Sequence, residues 1–77
     1  MGKITINPDI RFGKPCIRGT RIAVVDILNL FAAGYAVREI PAQLPGITKA
    51  DVLAALEFAG KLAEEPTRVV TRVPVGG

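Results

Sequence analysis

Few side chains in this chain are able to do chemistry. Histidine is absent from all 77 residues, and cysteine occurs once, as Cys16. Without histidine there is no Ser-His or Cys-His nucleophile pair and no imidazole to move a proton. Cys16 lies between Pro15 and Ile17. A reactive thiol there needs its pKa lowered by Lys14 or Arg18 and an acid or base beside it. No such acid or base is visible, so the residue reads as a small buried hydrophobe. Asp9 and Asp26 lack the third ligand that would make them a metal pair, and no Cys/His set has zinc spacing. The Gly13-to-Gly19 interval lacks the Lys-Ser/Thr that follows a phosphate-cradling loop. No catalytic residue, cofactor or metal is expected, and the chain reads as a non-enzyme.

What remains is positive charge. The chain carries ten Lys plus Arg against seven Asp plus Glu, a net +3. Residues 1–21 hold Lys3, Arg11, Lys14, Arg18 and Arg21 against Asp9 alone, which is +4. Residues 22–62 sum to −1 and residues 63–77 to zero. A basic third beside a near-neutral body points to an anionic partner. The competing reading is an ordinary solvated loop, because an arginine fork bonds to backbone carbonyls as readily as to phosphate.

The elements that position these residues follow from periodicity and breakers. Residues 3–6 alternate polar and apolar, as a short strand does. Asn7-Pro8-Asp9 opens a loop, and a Gly-, Pro- and Arg-rich segment runs to Thr20. Residues 20–24 alternate again and are expected to pair with the first strand. Three helices should follow. The first covers residues 25–33, with Val24, Ile27, Leu28 and Phe31 on its apolar face and Gly34 ending it in a left-handed turn. The second covers residues 37–44, with Val37, Ile40 and Leu44 inward and a kink or early end at Pro41. Pro45-Gly46 breaks the chain. Thr48 opens the third helix, and Asp51 three positions later has capping-box spacing. Val52, Leu53, Leu56, Phe58, Ala59 and Leu62 give that helix a wide apolar face, and it ends between residues 62 and 65, before Pro66.

The expected fold is therefore mainly α: a three-helix helix-turn-helix core with a short N-terminal β-hairpin in residues 1–62. Residues 63–77 form a tail that is either disordered or docked on a partner. At this length a single core supplies only about 3–5 kcal/mol, so another chain is the natural staple. A helix-turn-helix reads DNA from the start of its last helix, where Thr48 and Lys49 are the available donors. That helix is a weak reader, and Arg11, Lys14, Arg18 and Arg21 are the expected sources of phosphate affinity. No stretch approaches the roughly 18 apolar residues of a membrane span. The first ten residues lack the apolar run of a signal peptide. The expectation is a soluble cytoplasmic protein that neither enters a membrane nor takes a small-molecule substrate.

The run Ile6-Asn7-Pro8-Asp9-Ile10-Arg11-Phe12-Gly13-Lys14-Pro15-Cys16-Ile17-Arg18-Gly19-Thr20-Arg21-Ile22 resembles the hallmark of the bacterial domain-of-unknown-function family 433. Pro45, Ile47-Thr48, Asp51-Val52 and Ala54-Ala55-Leu56 extend the resemblance, which covers about residues 4–62. It implies a homeodomain-like fold and an antitoxin of a toxin–antitoxin pair. It also implies a PIN-like ribonuclease toxin as partner and binding to operator DNA as a homodimer. The tail lies outside the shared motif. In it Arg68 and Arg72 fall on one side of an extended segment, where guanidinium groups can pair with the toxin's metal-holding carboxylates. Val70 and its neighbours would cover apolar toxin surface or add a strand to its sheet. Two other readings stand beside this one: a DNA-binding regulator without a toxin, and a small interaction module that never meets DNA.

Overall fold

A computed structural model of the chain describes residues 2–64. The tail residues Arg68, Val70 and Arg72 lie outside the described residues, as does all but the first two positions of the expected 63–77 segment. The described chain is mainly helical with one short antiparallel strand pair: β1 (Ile4–Thr5), β2 (Cys16–Ile17), α1 (Val24–Ala32), α2 (Ile40–Gln43) and α3 (Lys49–Glu64).

The partner of β1 differs from the sequence expectation. Residues 20–24 do not pair with it. Ile4 sits opposite Ile17 and Thr5 opposite Cys16. The reason is a tight turn inside the basic segment. Gly19 takes φ +81°, a left-handed angle that costs glycine little. The Thr20 amide and hydroxyl both donate to the Ile17 carbonyl, at 3.0 and 2.9 Å. The chain thus doubles back at once, and the Ile17 amide donates to Ile22 at 2.9 Å while Cys16 bridges Ala23. β2 is therefore central, with β1 on one side and the 22–23 backbone on the other. Its two residues are nearly wholly buried.

α1 starts where the Asp26 carboxylate accepts the Ala23 amide at 2.9 Å. It ends at Gly34, φ +104°, as the sequence suggests. The Gly34 amide donates to Phe31 and the Tyr35 amide to Leu30, at 3.0 and 3.1 Å, so the last carbonyls find donors in a Schellman motif. The second helix begins as a 3₁₀ turn, Val37–Glu39, and becomes α2 at Ile40. Glu39 accepts the Ala36 amide and closes the start. Pro41 stands in the first turn of α2, where its missing N–H is one that turn does not use, and α2 ends two residues later at Gln43. α3 carries the capping box in full: Thr48 N–H donates to Asp51 at 2.9 Å, and Asp51 N–H to Thr48 Oγ1 at 3.2 Å.

The core joins all these elements. Ile27 of α1, Ile40 of α2 and Val52 of α3 are fully buried, with Ile4, Ile17, Val24, Ile47 and Ala55 around them. Burying each of these isoleucine and valine side chains contributes on the order of 1.5–3 kcal/mol. Two expected faces are narrower than the spacing suggests. Phe31 stands partly outside the α1 contact, and Leu53 and Leu62 are about half exposed on α3. A 16-residue helix offers more periphery than a domain with two other short helices covers.

Candidate nucleic-acid interface

The basic third folds into a loop with an unusual backbone. Arg11, Phe12 and Gly13 take φ +51°, +59° and +82° in succession, and the first two are not glycine. Left-handed angles in residues with a Cβ cost about 1–2 kcal/mol each, so something must hold them. Arg11 does. Its guanidinium reaches Asp26 at 2.8 and 3.4 Å and the Arg21 carbonyl at 2.8 Å. Asp26 in turn caps α1 through Ala23. The loop is thereby clamped to the first turn of α1, and Phe12 is left pointing outward, 96% exposed. The Arg11 bond holds the Asp26 carboxyl below its ordinary range, helped by the Ala23 amide and by Arg11 and Lys14 charge, against partial burial. The same bond raises Arg11 further.

Each expected contact residue can now be placed. Arg11 already has partners inside the molecule. Lys14 is exposed just after the loop, and its amide donates to the Arg11 carbonyl at 3.2 Å. Arg21 is exposed beside the same clamp. Arg18 lies across β2 from this group. It is exposed, with its amide on Lys3 at 2.8 Å and its Nε on the Gly2 carbonyl at 2.6 Å. Thr48 and Lys49 are exposed at the start of α3, and Lys3 ties that helix start to β1 through Asp51 at 3.3 Å. The structure therefore makes two groups. Arg11, Lys14 and Arg21 surround the α1 start, while Arg18 and the Thr48–Lys49 end of α3 are linked through Lys3.

Lys3 is the side chain whose linking position sequence reasoning missed. Its outward position in the strand is legible, but Asp51 is 48 positions away and only the fold brings it near. Asp51 is held below its ordinary range chiefly by the Thr48 amide, with Lys3 adding to it. Occupied by cap and lysine, it repels phosphate less than its sequence position suggests. Among the described residues, no cluster of three His, Cys, Asp or Glu groups suited to a metal is present. No described helix is long and apolar enough to cross a membrane. Cys16 is buried, and its Sγ lies 3.3 Å from the Lys14 carbonyl.

No curated protein and no solved structure is matched by the chain. Residues 4–59, from β1 through most of α3, match the family described as protein of unknown function (DUF433). That stretch holds the clamped loop, the central strand and the capped third helix, and the chain belongs to the DUF433 family.

Proposed function

We infer that the chain is a non-enzymatic antitoxin: as a homodimer in the cytoplasm it neutralises a PIN-like ribonuclease toxin and binds its own operator DNA. The observation that carries the DNA half is the exposed charge of Lys14, Arg18, Arg21 and Lys49. Among the described residues, none of the four has a carboxylate in salt-bridge range; the two ion pairs there are Lys3–Asp51 and Arg11–Asp26. Such cations release counterions from phosphate. Thr48 is already the cap of α3, so Lys49 is the better phosphate donor at that end. Arg11 supports the interface by fixing the loop on which Lys14 and Phe12 stand.

The toxin half rests on the resemblance and on the chemistry of the tail. Arg68 and Arg72 suit bidentate pairing with metal-holding carboxylates, and Val70 suits an apolar flank. Co-expression with a PIN-like ribonuclease, sought first in the adjoining gene, tests both halves. Neutralisation should be kept by the full chain and lost with Arg68→Ala/Arg72→Ala, while the purified pair retards its promoter DNA. A toxin left active by the full chain overturns the antitoxin reading. Retardation without any toxin inhibition favours a stand-alone regulator.

A further inference from the structure

α3 presents a second surface that the core does not use and that meets the basic groups only at Lys3. Ala50, Leu53, Ala54 and Glu57 recur at i, i+3, i+4 and i+7, on the side of α3 away from the buried Val52 and Ala55. Together with Gly2 and Lys3 they line an open groove of about 390 Å³. Leu53 is 48% exposed at its centre. The walls are small or apolar, and the charges sit at opposite ends. Lys3 is held beside the first turn of α3 by Asp51, and Glu57 lies two turns further on.

We propose that this groove is the seam of the homodimer, filled by α3 of a second copy running antiparallel. The inference rests on the homodimer element of the proposed function and needs neither toxin nor DNA. A two-fold axis between Leu53 and Ala54 sets each Leu53 against the partner's Ala54. It sets each Ala50 against the partner's Glu57. Alanines at both contacts let the helix axes approach to about 8–10 Å. The axis also reverses the ends of the groove, so each Lys3 ammonium faces the partner's Glu57. An isologous contact makes this pairing twice. Lys3 is able to serve both carboxylates: its side chain is 53% exposed while bonded to Asp51, and an ammonium has three donors. The charge pattern is thus self-complementary, which selects a second copy as occupant. A nucleic acid is disfavoured, since Glu57 lines the groove with no cation in salt-bridge range among the described residues and would meet phosphate.

Sedimentation of the full chain across a concentration series is the test. The wild-type chain should be a dimer. Glu57→Lys and Lys3→Glu should each weaken the dimer by about tenfold in Kd, because like charges then face each other at both ends. Mixing the two variants in equal amounts should restore the dimer, since opposite charges again meet across the axis. Leu53→Asp, which leaves Lys3 and its Asp51 bond untouched, should also give monomers with unchanged helical circular dichroism. A wild-type monomer at every concentration overturns both the seam and the homodimer. A dimer indifferent to Glu57→Lys and Leu53→Asp overturns the seam alone.

Discussion

Arg11 does the work of a staple. It connects a left-handed loop, the α1 cap residue Asp26 and the Arg21 carbonyl with one planar group. Its basic type was legible in the sequence, but its partner was not. Asp26 is 15 positions away and was countable only as one more anion in the middle segment. The pairing has a pH consequence. Asp26 titrates below its unfolded value of about 3.9, so it stabilises the fold above that pH and loses the contribution as pH falls through the lower folded value. Asp26→Asn should therefore lower stability by about 1 kcal/mol at neutral pH, the partial exposure of the pair limiting the loss. The gap to the wild type should close below pH 4, as read from urea unfolding at several pH values.

At the scale of elements, local signals were sufficient where one turn decides. Thr48 with Asp51 marked the start of α3, and Gly34 marked the end of α1, because caps depend on residues within a few positions. Thr48→Ala should cost about 1 kcal/mol in thermal or denaturant unfolding, since it leaves the Asp51 amide at the helix start without its hydroxyl acceptor. Strand pairing was less legible. Residues 20–24 alternate better than Cys16–Ile17, yet the turn at Gly19 places the latter in the middle. Period-2 patterning identifies a half-buried strand, and β2 is buried on both of its residues, so it shows no alternation. The width of the α3 face was misread for a related reason. Helical spacing shows which residues share a side, but not how many neighbours are available to cover it.

For the whole molecule, the useful quantity is where charge remains uncancelled. Among the described residues the fold removes Lys3 and Arg11 from the free cations by pairing them, and leaves Lys14, Arg18, Arg21 and Lys49 outward, with Arg38 and Lys61 exposed elsewhere. Replacing Lys14 or Arg21 by Ala should weaken promoter binding equally at all sequences and reduce the slope of log affinity against log salt by about 1. Arg11→Ala should instead lower the melting temperature before it affects that slope. Titrations by fluorescence anisotropy at several salt concentrations, set beside thermal melts, separate the two roles. A slope unchanged by Lys14→Ala and Arg21→Ala counts against phosphate contact through this loop.

The burial of Cys16 makes the small sheet measurable from within. The thiol is 1% exposed, it sits in the central strand, and it is the only sulfhydryl in the chain. An alkylating reagent reaches it when the Ile4–Thr5 or 22–23 backbone moves aside. The ratio of its alkylation rate to that of the unfolded chain therefore gives the free energy of that opening. A single adduct thus reports the stability of the small sheet with no residue changed.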